Sequence, residues 1–311
     1  MAIDWADYGS RIVIAGGDFR AEWPSVNPIG GGSPIRASRE DWARVEEIAR
    51  RFSESGVEWL IAPTDDWNPG AGTCGQEPDE IPAGELHRAM TLAVACLRRV
   101  ADAHTGDGDR PARVIGAIGP VQQLLMLGEI EESELGRIVS EQAEAIAAGG
   151  ADAIICRSFT ELESVVVSIR SAVAASGLPV IASMCFDSGP SYSETTLGAS
   201  IPRFAECAAE SGAFMIGCDG SEYPDGAPAI ITMLRDVTKL PVYVELNAGR
   251  AELSESGVDY PEQPRAYAER FAALSAAGAS VVSGGRGAGA LHMREMVRAA
   301  LRASRRRDGA R

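Results

Sequence analysis

Carboxylates, arginines and a few thiols recur in this chain directly after short apolar runs, and that placement is where side chains could do chemistry. Asp18, Asp65 with Asp66, Arg157, Cys185 with Asp187, Cys218 with Asp219, Glu245 with Asn247, and Arg286 between Gly285 and Gly287 all fall at such ends. A carboxylate in a cleft exchanges protons with a substrate once burial and neighbouring charges bring its pKa toward the working pH. Asp219, Glu245 and Asp65 are the candidates for that catalytic role. Arginine grips carboxylate or phosphate through paired hydrogen bonds. The stretch "VVSGGRGAGALHM" (281–293) sets Arg286 in a glycine-rich turn leading into a helix, where backbone amides also favour an anion. Arg286, Gly285 and Gly287 are therefore candidate substrate-binding positions, joined by Asn247, Arg157, Cys185, Asp187 and Asp18. An ion pair from Arg286 to Asp219 or Glu245 is the alternative role for that arginine.

Some chemistries drop out by residue type. The single lysine, Lys239, precedes the seventh apolar run and belongs to the far end of the fold, which removes Schiff-base catalysis. His87 and His104 lie in or beside the second helical segment, leaving His292 as the imidazole nearest the candidate site.

The elements that must position these residues repeat eight times. Apolar runs at 11–19, 57–65, 113–120, 151–159, 179–187, 213–220, 241–249 and 279–287 each precede an amphipathic helical segment, several of which stop at glycine. Strand and crossover helix in alternation build a parallel sheet, and eight such units predict an α/β fold, a single (β/α)8 TIM barrel over residues 1–301 with a basic, disordered tail at 302–311. An open doubly wound sheet is the alternative. In such barrels active sites lie where strands end and loops begin, which is where these side chains fall. Two segments exceed what a connection needs, 20–37 and 66–80, and read as lids, binding loops or disordered insertions.

At 311 residues the chain can bury a core without disulfides or metals. The six cysteines are scattered, with no paired spacing, so they read as reduced thiols. A formal net charge of −15 argues against a nucleic-acid partner. No run of about 18 apolar residues appears, and Asp4 and Asp7 interrupt the N-terminus, so the expectation is no membrane partner and a cytoplasmic location.

Several motifs resemble one family in order and spacing. "PVIASMCFDSG", "FAECAAESGAFMIGCDG", "LPVYVELNAG" and "YPEQPRAYAERFAALSAAGASVVSGGRG" are similar to the homocysteine S-methyltransferase family, including the homocysteine-binding domain of cobalamin-dependent methionine synthase. "IAGGDF", "SGVEWLIAPTDDW", "IGAIGP" and "SEQAEAIAAGGADAIICRSF" agree more loosely, so the resemblance spans nearly the whole chain. It implies the same barrel. It also implies a zinc ion held by one cysteine after the sixth strand and a cysteine pair after the eighth, where the metal keeps the acceptor thiol as thiolate. Here those positions are Gly220, Arg286 and Gly287. Arg157 stands where the family carries an acidic residue, Asp219 where it carries asparagine, and Leu246 where it carries proline. A remodelled metal site would have to draw on Cys185, Cys218, Asp219 and His292; the other reading of both cysteines is as small buried thiols filling the barrel interior.

The expectation is a zinc-independent methyltransferase acting on a small methylated or anionic metabolite. No zinc is expected as cofactor. A corrinoid carried by a partner protein would accept the methyl group, because a reduced corrinoid is already nucleophilic. The alternatives are a carboxylate-based lyase or isomerase with an arginine-lined anion pocket, and a non-catalytic binding descendant.

Overall fold

β-branched and other apolar residues in short runs form strands when both faces will be buried, and each run here is bounded by polar or glycine-containing turns. The computed structural model describes residues 11–22, 39–65, 67, 83–103, 112–187, 192–220, 224–254 and 257–308. The strands are β1 (Val13–Ile14), β2 (Trp59–Ile61), β3 (Arg113–Ile118), β4 (Ala153–Phe159), β5 (Val180–Met184), β6 (Ala213–Cys218), β7 (Val242–Leu246), a hairpin of β8 (Glu252–Ser254) and β9 (Gly257–Asp259), and β10 (Val281–Gly284). The helices are α1 (Phe19–Glu22), α2 (Arg39–Glu54), α3 (Ala83–Ala103), α4 (Glu132–Ala148), α5 (Leu162–Ser176), α6 (Ile201–Glu210), α7 (Ala227–Val237), α8 (Pro264–Glu269), α9 (Phe271–Ala277) and α10 (Ala290–Asp308).

The eight-stranded sheet runs β1-β10-β7-β6-β5-β4-β3-β2, and a parallel bridge from Ala15 to Trp59 joins its two ends. The Gly16 amide donates to the Trp59 carbonyl at 2.8 Å across that seam, so the sheet closes on itself as a (β/α)8 barrel. All eight expected strands are present.

Alternation along each strand sends every second side chain inward. Trp59, Ile61, Ile115, Ile155, Met215 and Tyr243 are among the residues that fill the barrel interior, while Leu60, Val114, Ile154 and Ile216 pack outward against the helices. Cys218 belongs to the outward set, so it faces the helix layer and does not fill the barrel interior. Its parity explains this: Met215 points inward, and Cys218 lies three residues further on.

Two expected boundaries change. The helical segment that follows the seventh apolar run is two helices meeting at Arg270, whose guanidinium binds Glu262 at 2.5 Å and Asp225 at 3.0 Å. The last helix continues to Asp308, so residues 302–308 are helical where a disordered tail was expected. Arginine is a good helix former and its charge suits a helix C-terminus, while Ala303 packs against the core. Residues 309–311, and nearly all of the two long segments at 20–37 and 66–80, lie outside the described residues. No described helix is long and apolar enough to cross a membrane.

Candidate functional site

The strands deliver their polar residues to one rim. Past Ile155 the inward positions of β4 turn polar, and Arg157 reaches across the mouth. Its Nη2 lies 3.0 Å from Asp65 Oδ2, beyond β2, and its Nη1 lies 2.7 Å from Glu245 Oε2 on β7. Tyr243, two residues before Glu245 and on the same inward face, donates its hydroxyl to that oxygen at 2.8 Å. Burial works against the Arg157 charge, but Asp65 and Glu245 outweigh it and hold the guanidinium pKa well above its ordinary value. Burial acts on Glu245 in the other sense. Desolvation raises its pKa, Arg157 lowers it, and the Asp219 charge raises it again, leaving it at about 6. A carboxyl poised there holds or releases a proton near neutrality. Burial, then the nearby Glu245 charge, push the Tyr243 hydroxyl well above its ordinary pKa, so it remains a donor.

Above this network is a cavity lined by Asp18, Asp65, Arg157, Ser158, Glu245 and Arg286, with Phe19 and Trp67 as aromatic walls. Arg286 is an exposed residue that nonetheless borders the cavity. The structure gives it no carboxylate partner among the described residues, so the alternative role, an ion pair to Asp219 or Glu245, is not formed. Its backbone is fixed instead: its amide donates to Asn247 Oδ1 at 2.9 Å and its carbonyl accepts from the Ala248 amide at 2.8 Å. The Gly287 amide donates to Asp18 Oδ2 at 3.1 Å, and Gly287 adopts φ 78°, a conformation glycine takes without strain.

Other candidates fall elsewhere. Asn247 is buried and holds the turn after β10, without bordering the cavity. Asp219 is 1% exposed, with one oxygen accepting the Ser158 amide at 3.0 Å and the other the Cys185 thiol at 3.2 Å. It does not border the cavity, and both of its oxygens are engaged by neighbours. Burial first, then the Asp219 charge, raise the Cys185 pKa well above its ordinary value and keep the thiol protonated. Gly285 borders the cavity, whereas Asp187 and Cys185 do not. Asp66 lies outside the described residues.

Sequence reasoning missed Tyr243, Ser158, Phe19 and Trp67. Strict alternation back from Glu245 would have found Tyr243. No local signal marks Ser158, which sits at φ 67°, in the left-handed region, at a register irregularity between Cys156 and Phe159.

The positions to which the resemblance assigns the zinc ligands are Gly220, Arg286 and Gly287, none of which carries a sulfur donor. Among the described residues no three His, Cys, Asp or Glu side chains are grouped to hold a metal. A Cβ added at Gly220 would lie 2.7 Å from Cys185 Sγ, which occupies the volume a side chain at position 220 would need. Cys218 faces the helices. His292 is engaged with the Glu262 carbonyl at 2.8 Å and stacks edge-on against Tyr267.

Linkage makes the Glu245 environment measurable. Its folded pKa, about 6, exceeds its ordinary 4.5. The protonated form is favoured by folding, so this contribution is fully present below pH 4.5 and is lost as pH rises through 6. It amounts to about 2 kcal/mol. Denaturant titrations of wild type and Glu245→Gln across this range should diverge by that amount, with wild type losing ground as pH rises. Parallel curves would refute the shift.

The family model described as homocysteine S-methyltransferase matches residues 23–300. Methionine synthase of Mycobacterium tuberculosis is 29% identical over 261 residues, covering 82% of this chain and 21% of that protein. Methionine synthase of Mycobacterium leprae is 28% identical over 264 residues, covering 83% and 21%. The chain thus spans about a fifth of these relatives' length. The homocysteine methyltransferase MmuM of Escherichia coli, in its apo form, superposes with a TM-score of 0.72 at 14% identity, over 95% of this chain and 98% of that one. Its oxidized form superposes with a TM-score of 0.73 at 16% identity, over 96% and 98%. At these identities the likeness is one of fold.

Proposed function

Because the chain belongs to the homocysteine S-methyltransferase family, we propose that it transfers a methyl group from a small methylated compound with an anionic end, without a zinc-held thiolate. The acceptor arrives already nucleophilic, as a reduced corrinoid on a partner protein. One observation carries this reading. Among the described residues the rim holds a charge network of Arg157, Asp65 and Glu245 beside the Arg286 guanidinium, which has no carboxylate partner there, and no cluster of sulfur donors.

In the transfer, the acceptor's electron pair forms the new bond to the methyl carbon, and the pair of the breaking bond stays with the donor's leaving atom. An onium donor leaves neutral and needs no proton. A thioether or ether donor leaves as an anion and takes the proton that Glu245 carries near pH 6. Arg286 holds the donor's carboxylate or phosphate, and Phe19 and Trp67 shield the methyl group from water.

The test offers purified protein a reduced corrinoid, or a thiol, with a panel of methylated donors and follows methyl transfer by mass spectrometry. Transfer from none of them sinks the reading, and stoichiometric zinc in the active protein removes its zinc independence. Arg286→Ala should raise KM for an anionic donor roughly 10- to 100-fold, the worth of a charged hydrogen bond, with kcat unchanged. Folding stability should stay within about 0.5 kcal/mol, since the side chain is exposed. An unaltered KM would remove Arg286 from donor recognition.

A further inference from the structure

We propose that Asp219 is a positioning residue: by gripping the amide of Ser158 it holds the β4 bulge in the form that aims Arg157 at both Asp65 and Glu245. The inference rests on the reading of that network as the reaction centre, and its test does not depend on turnover.

Parity shows what the bulge does. Cys156 and Phe159 both pack outward although three residues apart, and register with β5 shifts between them. An unbroken strand would turn Phe159 into the mouth. One extra residue resolves the conflict, letting Arg157 point inward while Phe159 stays in the outer core. The extra residue is Ser158, and it takes φ 67°, a conformation that costs a non-glycine residue free energy. Something must hold it there. The Ser158 amide donates to Asp219 Oδ2 at 3.0 Å, and Asp219 is anchored through its own amide to the Met184 carbonyl at 3.2 Å and through Oδ1 to the Cys185 thiol at 3.2 Å. β5 and β6 thereby clamp the bulge from one side. Arg157 adjoins Ser158 in the chain, so its reach depends on that clamp.

Asp219 also acts on Glu245 through space, and the two effects have opposite signs. Neutralising Asp219 removes a nearby negative charge and lowers the Glu245 midpoint. Releasing Arg157 removes the positive charge beside Glu245 and raises it. The charged and titratable groups acting on Glu245 are Arg157 from β4, Tyr243 from β7, Asp65 beyond β2 and Asp219 beyond β6, together with Cys185, Cys218 and Tyr267, with Asp18 and Arg286 bordering the same cavity.

Asp219→Asn and Asp219→Ala lose the same charge, but only the asparagine keeps an oxygen for the Ser158 amide. The experiment follows the Glu245 carboxyl by carbon NMR across pH, assigned by its disappearance in Glu245→Gln. Asp219→Asn should titrate below wild type. Asp219→Ala should titrate about one unit above Asp219→Asn, and adding Ser158→Gly, which takes the left-handed conformation freely, should return the alanine variant to the asparagine midpoint. Equal midpoints in the alanine and asparagine variants overturn the proposal, as does failure of Ser158→Gly to restore. Should Asp219→Ala not fold, the double variant decides: folding with the asparagine midpoint supports the clamp, and failure to fold overturns it. A positive result in a protein that transfers no methyl group would leave the clamp standing and the proposed function refuted.

Discussion

Replacing Arg157 by alanine should lower kcat/KM about 10²- to 10⁴-fold, the range expected when an acid–base group loses its tuning, and cost about 3 kcal/mol of stability near neutral pH. The side chain is the shared partner of Asp65 and Glu245, whose side chains are 16% and 9% exposed. Without it, the two carboxylates lose the cation that joins them. Glu245, already raised to about 6 by burial, then rises further. The sign of the pH dependence follows. Stability tied to the protonated form is lost as pH rises through the higher folded value, so the deficit against wild type grows with pH and shrinks in acid. Arg157→Lys should not rescue it, because the three donors of an ammonium radiate from one atom and do not reproduce the span of the two guanidinium nitrogens that bind Asp65 and Glu245. Thermal melts at several pH values together with methyl-transfer rates check this. A variant with wild-type rates would show that the network is structural and the reaction centre lies elsewhere.

Gly17→Ala should be the second most damaging change. A Cβ there would lie 2.0 Å from the Ala288 carbonyl oxygen and 3.0 Å from the Phe52 ring. The carbonyl cannot swing away cheaply, because it accepts the Asp18 amide at 2.9 Å and so ties the end of β1 to the turn after β10. Overpacking of this kind costs about 1–3 kcal/mol, here paid in displacement of the turn that carries Arg286 and of the Asp18 carboxylate that holds Gly287. The expected result is a melting point several degrees lower and donor binding weakened at least as far as in Arg286→Ala. Gly84→Ala supplies the control, since nothing lies within 4 Å of its added methyl and alanine favours the helix it occupies. If the two variants melt alike and both bind donor normally, the close approach of β1 to the eighth loop does not constrain the site.

Much of the architecture is legible in the sequence. Alternation of apolar runs with amphipathic segments is a local property, repeated eight times, and the fold follows from it because each strand must bury two faces and each helix one. The same alternation located the strand ends, and Asp65, Arg157, Glu245 and Arg286 were all among the residues named there. Their convergence was not legible. Arg157 lies 92 residues from Asp65 and 88 from Glu245, and those distances vanish only when the barrel closes and staggers its strands.

Parity likewise held only where the strands were regular. It would have found Tyr243 below Glu245, and it turns Cys218 outward once Met215 is known to face in. It failed at Ser158, where one extra residue in β4 resets inside and outside. It could not tell that Asp219 spends both oxygens on its neighbours while Glu245 keeps its place at the cavity. The sequence by itself determined the repeating unit and which residues stand at the mouth, because those depend on a period of two and a run of about a dozen residues. Which of them meet, which are withdrawn and which charge is shared belonged to the tertiary structure, because contacts between strands depend on closure, stagger and a bulge that no local period encodes.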